Sequence, residues 1–146
     1  MTPADQIRAL LGAAVTSVWL SLALNAGGNG AQAPAGSDGW RIPEGADSES
    51  NPEPITAAAL AKGQSVFRAK CQHCHGADGS GHGPDADPDH PAGDLTDRRA
   101  AARNPDGVLF YKIWNGRAKP KMPAMKADLT RAEVWSVVQY VATLRK

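Results

Sequence analysis

The apolar positions fall into one continuous run near the start of the chain and, after a long polar gap, three stripes at helical spacing. The run covers residues 7–24, eighteen positions interrupted by Arg8, Thr16, Ser17 and Ser21. The first stripe is Leu60, Gly63, Phe67 and Cys71, widened by Val66; the second is Leu109, Phe110, Ile113 and Trp114. The third is Val134, Val137, Val138, Val141 and Leu144, extended by Trp135 and Tyr140. Residues three and four apart share one face of a helix, so each stripe predicts an amphipathic helix. No strand pattern with a period of two occurs from residue 56 onward, so the folded part is predicted to be all-α.

Polar residues mark the boundaries of these helices. Thr56 is a good N-cap for a first helix reaching Cys71. Gly63 inside it is costly, unless a second helix comes close there. Thr96 is placed as the cap of a short helix over residues 97–103. Asn104, Pro105 and Asp106 then supply an N-cap, a first-position proline and a first-turn acid, and Asn115-Gly116 ends that helix. Thr130-Arg131-Ala132-Glu133 is a capping box, with Leu129 and Val134 as its hydrophobic staple. The third stripe most simply packs on the Gly63/Phe67 face. Residues 76–84 hold four Gly and one Pro, which excludes helix and strand and predicts a loop.

Three segments result: 1–26, a membrane anchor or signal segment; 27–55, a Pro/Gly-rich acidic linker; and 56–146, the helical domain. As a helix the run of residues 7–24 would be about 27 Å long, close to a hydrocarbon core of about 30 Å. Ala31-Gln32-Ala33 has the small-x-small form of a cleavage site, but Pro34 follows it, and the run exceeds a usual signal core. An uncleaved anchor is the favoured reading, and a soluble form after cleavage is the alternative. Arg8 precedes the run and residues 25–40 carry no Lys or Arg, which places the domain outside. The linker is predicted to lack regular structure, with Trp40 and Ile42 as exceptions that lie against the domain's own surface.

Charge divides along the same lines. Residues 62–146 carry fourteen Lys and Arg against nine Asp and Glu, whereas residues 27–61 carry five acids and one base, Arg41. A basic domain follows an acidic tether. The excess is too small to argue for nucleic acid and suits an acidic protein partner.

The chemistry sits at the end of the first helix. Cys71-Gln72-His73-Cys74-His75 is C-x-x-C-H, the attachment signature of a c-type haem. Two thiols at this spacing can each add to one vinyl group of a single porphyrin, and the His that follows can ligate its iron. Both cysteines of the chain are used by the motif, so none remains for a disulfide. A thioredoxin-type pair would need a preceding strand and a βαβ pattern, which are absent. A zinc site would need a second ligand pair, for which His82 and His90 lie in a Gly-, Pro- and Asp-rich stretch. His82 and His90 are also candidate sixth ligands, with exposed loop histidines the commoner outcome. Met122 and Met125 compete for the same role. Pro123 favours Met122, because it holds the chain extended just after it.

With Gly63 and Phe67 ahead of Cys71, Cys74 and His75, then Gly83-Pro84, Met122-Pro123 and a terminal helix bearing Tyr140 and Leu144, residues 56–146 resemble class I cytochrome c. The resemblance implies one haem c, covalent through Cys71 and Cys74, with His75 as proximal and Met122 as distal ligand. It also implies that the Pro84 carbonyl accepts the His75 ring N–H, and that a haem thioether pair is assembled outside the cytoplasm in bacteria. The expected function is therefore one-electron transfer, not enzyme catalysis, on the periplasmic side of the inner membrane. The expected partners are redox proteins, such as membrane respiratory or photosynthetic complexes, with no nucleic acid and no small-molecule substrate. A fixed haem subunit of a larger membrane complex and, less simply, a haem sensor are the alternatives. Lys112, Lys119, Lys121 and Lys126 are candidates to ring the haem edge and steer an acidic partner.

Overall fold

The computed structural model describes residues 39–146. The predicted apolar run, the cleavage site and the start of the linker lie outside the described residues. Among the described residues there are five α-helices, one 3-10 turn and no strand, apart from one isolated bridge between Arg117 and Met122. No helix among them is long and apolar enough to cross a membrane.

The helices are α1 (Ala57–Lys70), α2 (Gln72–His75), α3 (Arg98–Ala102), α4 (Asp106–Asn115) and α5 (Arg131–Leu144). Helix α1 starts where predicted, because the Thr56 side chain accepts from the Ala59 N–H. The capping box of α5 forms in full: Glu133 N–H donates to the Thr130 hydroxyl oxygen, and Thr130 N–H donates back to the Glu133 carboxylate. Two predicted starts move. Asp94 accepts both the backbone N–H and the hydroxyl of Thr96, so Asp97 caps α3 instead. The Asn104 side chain donates to Ala100 O, and Pro105 becomes the cap residue of α4 rather than its first helical residue. In each case a competing side-chain bond took the residue that the pattern had nominated.

The core lies between α1, α4 and α5. Val134, Val137 and Val138 of α5 are buried with Val66 and Phe67 of α1. Gly63 explains the closeness of this pair: a Cβ there would lie 2.0 Å from Ser136 O, so only a residue without one lets the helices meet. Phe110 of α4 stacks on Trp135 at 4.4 Å between ring centroids, and Phe67 tilts against Tyr140 at 5.3 Å. Each fully buried side chain stabilises by roughly 1.5–3 kcal/mol relative to exposure. Around this centre Cys71, Leu95, Leu109, Trp114 and Met122 pack against the core while remaining only partly covered.

Residues 39–55 run along the same body. Trp40 and Ala46 are buried, and residues Ala46–Ser48 form the 3-10 turn against α4. Trp40 thus lies on the domain's own surface, and Ile42 is half-buried.

Candidate haem-binding site

The ligand-bearing segment is short and tied down at both ends. Cys71 is at once the last cap of α1 and the first of α2, with its N–H donating to Phe67 O. The turn of α2 brings Cys74 and His75 round beside it, since Cys74 N–H and His75 N–H both point to Cys71 O. A four-residue helix leaves its C-terminal carbonyls without partners of its own. The glycine-rich loop supplies them: Gly81 N–H donates to His75 O, Gly83 N–H to Cys74 O and Asp85 N–H to His73 O. Gly81 has φ +89°, and a Cβ on it would stand 2.1 Å from Ala92 O. Its bareness lets the loop run back along the segment that carries Gly93.

That approach decides the state of His75. Its Nδ1 lies 3.1 Å from Gly93 O. A carbonyl can only accept, so Nδ1 carries the proton and Nε2 keeps its lone pair for a metal. Burial lowers the imidazole's proton affinity, against a smaller opposing effect of the Gly93 carbonyl. The neutral ring is the ligating form. The resemblance implies Pro84 as the acceptor; the carbonyl that lies against Nδ1 here is that of Gly93. Pro84 sits between Gly83 and Asp85, whose N–H groups are bound to Cys74 O and His73 O along α2, while Gly93 reaches the imidazole.

Cys71 and Cys74 are half-buried thiols with no disulfide. Burial, and secondarily the neighbouring Cys74, push the Cys71 thiol up to about 11, so it is protonated at neutral pH. Cys74 Sγ faces Asp85 O at 3.8 Å. The two thiols and a neutral imidazole with a bare Nε2 fit one haem held by thioether bonds, beside a core whose partly covered apolar rim it would complete.

The sixth-ligand candidates separate by environment. His82 and His90 are exposed; His82 Nδ1 donates to Ser80 O, and His90 lies 3.5 Å from Asp87. Met125 is 7% exposed within the core, its N–H donating to Ile113 O. Met122 is half-buried on an extended arm, pairing with Arg117 through both N–H and C=O at 2.9 and 2.8 Å. It lines a cavity of about 460 Å³ with Asn115, Arg117 and Lys121. Among the described residues no group of three or more His, Cys, Asp or Glu is placed to hold a metal ion.

Of the four candidate lysines, Lys119, Lys121 and Lys126 are exposed, but Lys112 is 9% exposed with Nζ 5.1 Å from the Trp40 ring centroid. Arg117 and Gly93 are structural participants that residue type did not reveal, nor did it reveal the contacts of Trp40 with Lys112 and Arg117.

No curated protein matches the chain significantly. The family model for cytochrome c, whose members carry haem c on a Cys pair, matches residues 60–145. That span begins inside α1, ends at the close of α5 and contains Cys71, Cys74 and His75 in the arrangement just described: the chain belongs to the cytochrome c family and binds haem c covalently through Cys71 and Cys74.

Proposed function

We propose that the protein is a mono-haem one-electron carrier in which His75 and Met122 would hold the haem iron. When bound, the haem supplies an iron centre that cycles between two oxidation states. The protein's residues do the rest. Cys71 and Cys74 fix the ring, His75 presents Nε2 because Gly93 holds Nδ1, and Met122 offers a soft thioether that favours the reduced state. The observation that carries the reading is the division between the two methionines: Met125 is spent in the core, while Met122 stands half-buried on an extended arm paired to Arg117. Two protein ligands leave no open coordination position, which suits electron transfer rather than substrate chemistry.

The proposed setting follows from residues 1–26, as an anchor that keeps the domain on the periplasmic side, with a redox protein or membrane complex as partner. The alternative, a fixed subunit of such a complex, draws on residues 39–55, where the chain is bound to the domain rather than trailing from it. The test is a potentiometric titration of the matured protein. A single reversible one-electron wave, with no carbon monoxide binding by the reduced form at neutral pH, is the expected result. Stoichiometric carbon monoxide binding would overturn the closed-site reading in favour of a sensor.

A further inference from the structure

Residues 39–53 form a strap that crosses the domain and ends on the arm that carries Met122. Near its C-terminal end Glu53 O accepts from the Gln139 side chain of α5 at 3.2 Å. Further along, Glu49 pairs with Arg131, whose guanidinium lies 4.5 Å from the centre of the Phe110 ring. The strap then meets the start of α4 so closely that a Cβ on Gly107 would stand 2.1 Å from Ala46 O and 2.5 Å from Glu49 O. At its far end Trp40 is 7% exposed. Lys112 Nζ lies 5.1 Å and Arg117 Cζ 4.7 Å from its ring centroid. A Cβ on Gly39 would come within 3.6 Å of Lys119 O, in the turn of the same arm.

Arg117 is the hinge of this arrangement. Its side chain faces Trp40, and its backbone makes both hydrogen bonds of the bridge to Met122. The arm itself is a poor candidate for rigidity. It has one bridge, an exposed turn over residues 118–121 and no neighbouring strand among the described residues. Two residues paired in this way do not hold a ligand in place without further support. A buried indole beside the cation, itself secured by a strap with three further attachments, supplies that support.

We infer that Trp40 is a positioning residue for the axial methionine: through Arg117 it holds the arm that presents Met122. The inference rests on the reading of Met122 as distal ligand. Its consequence is that residues 39–53, ahead of the helical domain, set how readily the sixth position opens.

The test uses the full chain matured with its haem, as wild type, Trp40→Ala, Trp40→Phe, Met122→Ala and Val138→Ala. The readouts are the weak charge-transfer band of an iron–methionine sulfur bond, followed against pH, and carbon monoxide binding to the reduced protein. Val138→Ala calibrates general destabilisation, because Val138 is fully buried in the core. The expected result is a band present in wild type and lost in Met122→Ala. In Trp40→Ala it should vanish at lower pH than in Val138→Ala of matched thermal stability, with open-site population raised about tenfold, the scale of a lost desolvated cation–π contact. Trp40→Phe, which keeps an aromatic face, should restore most of the wild-type behaviour. If Trp40→Ala follows Val138→Ala, the positioning role is overturned while the ligand reading stands. A band missing from wild type, or surviving Met122→Ala, overturns the ligand reading and this inference with it.

Discussion

An imidazole that serves as an axial ligand must keep one nitrogen bare and be prevented from rotating. His75 meets both conditions through one contact, Nδ1 to Gly93 O at 3.1 Å. Pro84 does not take part in it, so Pro84→Ala should leave the spectrum of the reduced holoprotein unchanged, with a stability change below about 1 kcal/mol. A shift in the haem spectrum of that variant would show that Pro84 acts on the ligand after all. The attachment motif was legible in the sequence because thiols and imidazole are rare and their spacing is chemical. The Gly93 carbonyl was not, since every residue supplies a carbonyl and only the fold decides which one arrives. The same limit explains Trp40. Its burial was anticipated, but the cations over its ring come from positions 72 and 77 residues away in sequence, Lys112 and Arg117.

At the scale of elements, the pairing of α1 with α5 sets the frame on which the site is built. Gly63→Ala places a methyl group against Ser136 O, and overpacking of this kind costs typically 1–3 kcal/mol. A urea denaturation curve should show the midpoint falling with little change in slope. The start of α5 carries a pH dependence. The Thr130 N–H, then Lys62, then the Thr130 hydroxyl hold the Glu133 carboxyl down to about 2, against an ordinary 4.5. A depressed folded-state value means stability that is present above pH 4.5 and lost as the pH falls from there toward 2. Glu133→Gln should therefore lower stability at neutral pH and flatten the acid limb of the stability–pH curve over that window. An unchanged limb would show that the capping box does not drive acid sensitivity. The helices themselves were legible, because stripes of three and four are long-range features of the chain. The exact caps of α3 and α4 were not, because Asp94 and Asn104 had equally good local bonds elsewhere.

For the molecule as a whole, charge and packing separate into distinct tasks. The exposed Lys119, Lys121 and Lys126 lie on or just past the Met122 arm, whereas Lys112 is committed to Trp40. Exposed charges steer association over about a Debye length, near 8 Å at physiological salt. The rate of electron exchange with an acidic redox partner should fall with rising ionic strength. Lys121→Ala should reduce that slope, and Lys112→Ala should instead lower thermal stability. A salt-independent rate would remove the steering role. The basic character of the domain was evident from composition, but which lysines are available depends on the strap, and hence on the fold.

The assignment of His75 and Met122 to the haem iron stands or falls on the absorption spectrum of the matured protein. It should be recorded oxidised and reduced for wild type, Met122→Ala and Met125→Ala. The iron–sulfur charge-transfer band should be present in wild type, absent in Met122→Ala and retained in Met125→Ala. The last variant should show instead a core defect of about 2–5 kcal/mol in unfolding stability. A band retained in Met122→Ala, or lost only in Met125→Ala, would contradict the assignment.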